Sequence, residues 1–242
     1  MPTSDKPTVT TWLLIVVALT LPSAVTWLYF VAFHGQPAAL QQSAYAIGKS
    51  IQFALPIVWL SSLSGSLPRR WPKLPRPDGP TLGIGLAFGL LVLAAIVLLY
   101  YAWLKPSSLF EAPAVAVRDK IKSFGIQSVA GYIALAAFYS LVHSLLEEYY
   151  WRWFVFGMLK GHFALAAAIA VSSVGFAAHH VLLLGHYFGY ASPLTWLFAA
   201  AIVVGGAVWA WLYARSGSLW ATWLSHALVD AAIFVVGWDL LR

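Results

Sequence analysis

The sequence predicts an all-α fold, a polytopic transmembrane helical bundle of about seven to eight spans forming one integral membrane domain over residues 1–242. Composition is the first reason. The chain is 61% hydrophobic and only 9% charged, with a mean hydropathy of +0.80, whereas a soluble domain carries about 25% charged residues. Continuity is the second: apolar runs of span length recur along nearly the whole chain and leave no room for a separate soluble domain. The third is periodicity. A membrane barrel needs segments of about ten residues alternating in polarity, and that pattern is absent, so helices must satisfy the backbone inside each span. The absence of cysteine excludes disulfides, thiolate metal sites and a Cys nucleophile. The net charge of +6 sits mostly in two loops and reads as topological, so no nucleic-acid partner is expected.

The first span is expected over about Trp12 to Phe33, after a short polar tail with Lys6. Its apolar stretch is too long for a cleaved leader, so it reads as a retained helix. The second, about Gln41 to Leu63, carries Gln41, Gln42, Lys49 and Gln52 and should face other helices more than lipid. The linker from Ser64 to Pro80 holds Arg69, Arg70, Lys73 and Arg76, which the positive-inside rule places in the cytoplasm. Thr81 to Leu104 is the cleanest span, with Gly83, Gly85 and Gly89 permitting close helix contact. Between Lys105 and Gln127, with Arg118, Asp119, Lys120 and Lys122, a loop with an interfacial amphipathic piece is expected. Its basic residues conflict with the orientation set by the first loop if every span crosses fully.

From about Ser128 to Leu159 the helical pattern does not break, and roughly 48 Å of helix exceeds a bilayer core. This segment must tilt, protrude or divide, and dividing would make the eighth span. A turn at Lys160-Gly161-His162 leads to a span from Phe163 to about Leu184. Two more follow, Pro193 to Tyr213 and Ser218 to Trp238, joined through Arg215.

The most informative stretch is the pair Glu147 and Glu148 inside the fourth apolar segment, followed by Arg152. A carboxylate at mid-bilayer costs about 2.5–3.5 kcal/mol on insertion scales, so chemistry or transport is the default reading. Glu148 and Arg152 are i,i+4 and can pair on one face, leaving Glu147 turned about 100° away. His143 stands four residues before Glu147, and His226 four before Asp230. Helical rise puts Glu147 about 20 Å from the turn at 160–162, His180 about 27 Å beyond it, and His226 about 14 Å from the turn at 215–217. Tilt absorbs such differences, so three helices can bring Glu147, His180 and His226 to similar depth. Of the neighbouring pair His179 and His180, one at most should face such a site.

The segments Glu147-Glu148-Tyr149-Tyr150-Trp151-Arg152, Phe176-Ala177-Ala178-His179-His180 and His226-Ala227-Leu228-Val229-Asp230 read E-E-x-x-x-R, F-x-x-x-H and H-x-x-x-D. In this order on successive apolar regions they resemble the CPBP family, the CAAX prenyl proteases and bacteriocin-processing or bacteriocin-immunity proteins also called the Abi family. The resemblance covers about Gly131 to Asp230, within a motif-bearing core of about 128–238. It implies an intramembrane endopeptidase that cuts near the carboxyl terminus of a membrane-associated protein or peptide. It implies Glu147 as the base activating water, His180 positioning that water, and His226 and Asp230 stabilising the oxyanion. Glu148, Arg152 and Phe176 would support the site, Phe176 in its packing shell. Where the eukaryotic prenyl-protein proteases generally have Asn, this chain has Asp230, which donates to an oxyanion only when protonated and otherwise would orient His226.

General-base chemistry needs no cofactor, and the metal-free glutamic mechanism is the favoured reading. Zinc on Glu147, His180 and His226 is the alternative, since Glu and His are zinc ligands, although H-E-x-x-H is absent. Ser172-Ser173 beside His180 lacks the G-x-S-G of a serine intramembrane protease, and the aspartyl signature G-x-G-D is missing too. The competing class is a noncatalytic membrane protein, either a transporter relaying protons through Glu147 or an immunity or scaffold factor. The expected partners are the lipid bilayer and a substrate with a lipidated or hydrophobic carboxyl-terminal segment. Low Lys with abundant Ala, Leu, Trp and Gly suggests a GC-rich bacterium, hence a multi-pass protein of the bacterial inner membrane.

Overall fold

A computed structural model describes residues 8–64, 75–76, 78–123, 125 and 128–242. Eight helices account for nearly all of them: α1 Val9–Ala32, α2 Ala38–Ser64, α3 Gly79–Leu104, α4 Glu111–Ser123, α5 Val129–Lys160, α6 Leu165–Phe188, α7 Pro193–Ser216 and α8 Trp220–Leu240. Among the described residues there is no strand. Six helices, α1, α3, α5, α6, α7 and α8, are long and apolar enough to cross a membrane. The fold is a helical membrane bundle, and the chain is an integral multi-pass membrane protein.

Two expectations are refined. The second expected span is a helix of 27 residues, α2, which is not among the six found by length and composition among the described residues. The fourth segment does not divide: α5 runs unbroken for 32 residues. Instead its hydrogen bonding widens to π-helical over Phe138–His143 and Tyr149–Phe156. The expected amphipathic piece before it is α4. The polar tail with Lys6 and the loop residues Arg69, Arg70 and Lys73, on which the inside assignment depends, lie outside the described residues.

The chain forms two compact units, one of Met1–Leu74 with Tyr149–Ala214 and one of Pro75–Glu148 with Arg215–Arg242. In the second unit, α3 and α8 touch through small residues. A Cβ on Gly85 would stand 2.6 Å from the Ala221 carbonyl oxygen, and one on Gly89 would stand 2.9 Å from Ser225 Cα. Asp78 starts α3 by accepting from the Thr81 N–H at 2.6 Å, and hydrogen bonding to the Thr81 side chain and then its backbone holds the carboxyl below the usual range. The first half of α5 is tied to α8 at two levels: Trp223 Nε1–H donates to the Leu141 carbonyl at 2.8 Å, and the Tyr132 hydroxyl to Phe234 O at 2.6 Å. At the far end of α8, Asp239 accepts from Tyr100 at 2.7 Å and Lys105 at 2.6 Å, and Arg118 Nε–H donates to Leu240 O at 2.7 Å. Both ends of α8 are therefore held, and His226 between them has little freedom to slide.

In the first unit, α6 packs against α1 and the second half of α5. A Cβ on Gly175 would meet the end of the Leu19 side chain at 2.8 Å and the Trp151 ring at 3.2 Å, so the three helices approach closely at that level. The Tyr150 hydroxyl donates to Ala18 O at 2.8 Å. Gly206 brings α7 onto Ser173 of α6, at 3.2 Å from where a Cβ would be.

Candidate active site

Glu147 and Glu148 occupy a short α-helical turn, Ser144–Glu148, bracketed by the two π-helical stretches. Such widened turns recur at functional sites because they turn side chains off the regular helical faces. Both acids are buried, Glu147 at 3% exposure and Glu148 at 0%, as is His226 at 4%. Carboxylates are seldom enclosed this way without partners, and α8 supplies them.

His226 Nδ1 lies 2.9 Å from Glu148 Oε1. An ionised carboxylate only accepts, so Nδ1 carries the hydrogen and donates. The other ring nitrogen, Nε2, stands 3.9 Å from Glu147 Oε2 and 3.7 Å from Asp230 Oδ1. Glu147 Oε1 in turn lies 3.8 Å from His143 Nε2. One imidazole thus faces three carboxylates. It hydrogen-bonds to Glu148 and stands just beyond bonding distance from the other two, a spacing that one small polar molecule can bridge. The i,i+4 pairs expected from sequence, His143 with Glu147 and His226 with Asp230, are brought together.

The orienting carboxylate is not the one expected. Sequence spacing offered Asp230 as the group orienting His226, whereas the ring's Nδ1–H donates to Glu148. Nothing in a separation of 78 residues announces that bond. The doubled glutamate was the one available signal, since adjacent carboxylates on a helix can reach different atoms of one ring.

In the other unit, Phe176, His179 and His180 lie on α6. His180 Nδ1 is 2.9 Å from the Phe176 carbonyl oxygen one turn back. A carbonyl only accepts, so Nδ1 is the protonated nitrogen and Nε2 carries the lone pair of the neutral ring. The Phe176 ring meets His180 edge-on at 4.8 Å. The buried Arg152 guanidinium lies 4.7 Å from the Phe176 ring centre and 5.2 Å from that of Trp209, a cation–π contact with each. His179 stacks on Trp151 at 5.9 Å with nearly parallel planes. The two adjacent histidines therefore have different settings, one stacked on an indole and one oriented by a backbone carbonyl. Trp209 and Trp151 had no sequence signal, because an aromatic in an apolar helix looks like any core residue. The Ser172 and Ser173 hydroxyls both donate to Ile169 O, at 3.1 and 2.7 Å, as helix serines commonly do.

As donor types, Glu147, His180 and His226, the set expected from sequence, suit zinc as well as they suit an acid–base site. A carboxylate on the remote nitrogen of His226 is the usual outer partner of a metal-bound histidine, so these residues fit either chemistry.

Residues 129–232 match the family model described as type II CAAX prenyl endopeptidase Rce1-like. Comparison with curated proteins gave no match, and neither did comparison with solved structures. The matched stretch contains all three motifs. The family is one of intramembrane proteases acting on membrane-associated proteins, and that is the class of activity the match supports.

Proposed function

We propose that this chain, whose residues 129–232 match the Rce1-like CAAX prenyl endopeptidase model, hydrolyses a peptide bond near the carboxyl terminus of a membrane-associated protein or peptide precursor by means of a glutamate-activated water. The observation that carries the reading is the buried set of Glu147, Glu148 and His226 with the half-buried Asp230 beside it, Nε2 of His226 lying within 4 Å of two carboxylates.

Glu147 takes the proton from water as it attacks the scissile carbonyl, and later delivers it to the leaving amine. His180, with Nδ1–H fixed on a carbonyl, presents Nε2 as an acceptor that orients the water. His226, protonated, donates from Nε2 to the oxyanion of the tetrahedral intermediate. Glu148 fixes the ring and balances its charge. Asp230 either adds a donor as the neutral acid or balances the charge of His226 as a carboxylate. Arg152, Phe176 and Trp209 keep α6 in register so that His180 presents the same edge. If zinc is resident, Glu147, His180 and His226 would hold it, and it would supply a bound water of lowered pKa. The metal-free glutamic reading is the one proposed here, since an enclosed carboxylate base needs no further activation. The substrate proposed is a protein with a lipidated or apolar carboxyl-terminal segment in the inner membrane of a bacterium.

The test uses purified protein with Glu147→Ala, His180→Ala and His226→Ala variants, each assayed for cleavage of membrane-protein tails. Each variant should accumulate as a folded protein and lose cleavage. Proton or solute flux that disappears in the variants, with no protein changing size, would support a transporter instead. Activity that survives exhaustive chelation excludes the zinc alternative, and activity that returns only with added zinc establishes it.

A further inference from the structure

In the unit built from Pro75–Glu148 and Arg215–Arg242, a groove of about 590 Å³ runs between the first half of α5 and the second half of α8. It extends from Val129 and Trp238 at one end to Ser140 and Leu141 at the other. Its walls are almost wholly apolar, and Val129, Ile133, Leu141 and Val235 are each roughly half exposed. The Tyr132–Phe234 and Trp223–Leu141 hydrogen bonds tie the two helices toward both ends, so the groove belongs to the fixed geometry of the pair. Its Val129–Trp238 end is basic. The Arg242 guanidinium stands 4.9 Å from the Trp238 ring centre. Arg118 of α4 reaches Leu240 O at 2.7 Å, and a Cβ on Gly237 would meet the end of Ile121 at 3.8 Å. Lys122, next along α4, is exposed. Arg118, Lys122 and Arg242 make no ion pair among the described residues. Of the acids at this end, Asp239 is taken by Tyr100 and Lys105, while Glu111 and Asp119 lie exposed on α4.

The size and lining of the groove select its occupant. From Val129 to Leu141 it spans about 18 Å. An extended peptide laid there would leave backbone N–H and C=O groups facing apolar walls without partners. A helix of that length, about 10–12 Å across, would take up at least about 1,400 Å³ and stand mostly outside. One hydrocarbon chain fits: with a methylene near the bulk of a water, roughly 30 Å³, about sixteen carbons occupy roughly 480 Å³. We propose that the groove seats one acyl chain of an anionic phospholipid, with the phosphate at Arg242 and Lys122. The apolar walls take the chain and the basic end takes the headgroup, as juxtamembrane cations attract anionic lipid. An uncharged lipid, or the neutral lipid anchor of a substrate, would leave those cations unmatched. The seated chain braces α5 against α8, the helices that carry Glu147, Glu148 and His226. The seat stands whatever reaction those residues catalyse.

The full-length protein, stripped of lipid in detergent, is titrated with phosphatidylglycerol and with phosphatidylcholine of identical chains, and bound lipid is counted by native mass spectrometry. At about 5-fold per basic residue, two cations give about 25-fold tighter binding of the anionic lipid. The double variant Lys122→Gln, Arg242→Gln should bind the two lipids alike, at the phosphatidylcholine affinity. Ala137→Trp, which fills the groove from its exposed side, should lose the first bound lipid of either kind. Phosphatidylglycerol with a diazirine on its acyl chain should label Ile133, Ala137 or Val235. Equal affinity of wild type for the two lipids overturns the proposal, whether or not the variants fold. Labelling spread evenly over the exposed faces of other helices overturns it as well. So does displacement of the bound lipid by hexadecanol as readily as by phosphatidylglycerol, which would make the groove a seat for a neutral chain.

Discussion

The hydrogen bond from His226 Nδ1 to Glu148 Oε1, at 2.9 Å, sets what the imidazole can do. With Nδ1 occupied, Nε2 is the working nitrogen, and it points toward Glu147 and Asp230. Glu148→Gln keeps an oxygen near Nδ1 but removes the charge, and comparable loss of a carboxylate behind a working histidine costs about 10–100-fold in activity. We expect a fall of that order in kcat with KM little changed, read from cleavage rates. Asp230→Asn separates the two roles left to that residue. If Asp230 donates as the neutral acid, wild-type activity declines as rising pH ionises it, and the Asn variant, always a donor, keeps its rate across the same alkaline range. If Asp230 serves as a carboxylate balancing His226, the variant is slower at every pH. The pairs four residues apart were legible in the sequence because helical periodicity alone sets them. The Glu148–His226 bond was not, because it depends on how α8 is seated beside the turn at 144–148.

Seating of that kind is a property of elements, and in the unit of Pro75–Glu148 with Arg215–Arg242 it rests on glycine. The sequence marked Gly83, Gly85 and Gly89 as places of close contact; a Cβ on Gly83 would meet nothing within 4 Å, while at Gly85 and Gly89 the partner is α8, through Ala221 and through Ser225, the residue before His226. Gly85→Val would drive a side chain into a backbone carbonyl 2.6 Å away, so α8 must shift. Overpacking of this order costs about 1–3 kcal/mol. We expect a lower thermal midpoint in detergent, with activity falling further than the loss of folded protein explains. The start of α3 carries a pH dependence of its own. Asp78 is held below the ordinary carboxylate range by the Thr81 hydrogen bond, so its contribution is complete above the unfolded pKa, about 3.9, and is lost as pH falls through the lower folded value. Asp78→Asn caps without titrating, so the thermal midpoint of the variant should fall less than that of wild type on acidification below about pH 4. What sequence could not show was the widening of α5 over Tyr149–Phe156. The 100° per residue behind the expected Glu148–Arg152 pairing holds for an α-helix, and the helix changes type just after Glu148. Arg152, on that widened stretch, lies over Phe176 and Trp209, contacts that no sequence spacing announces.

Across the whole molecule, the membrane class was legible because bulk apolarity leaves few alternatives, and the location of the spans followed from where that apolarity is interrupted. The count was less so. A 27-residue helix with Lys49 and Gln52 buried along it is judged by its partners as much as by its hydropathy, and partners are a tertiary property. The three motifs were legible because each is short and local, and the family match over residues 129–232 contains them all. The account therefore depends on a buried glutamate acting on water. Comparative terminal proteomics of membrane fractions, wild type against Glu147→Ala at equal protein level, tests that most directly. Shortened carboxyl termini on one or a few membrane-associated proteins should be present in wild type and missing in the variant. Identical termini in both, with the variant folded and abundant, would contradict it.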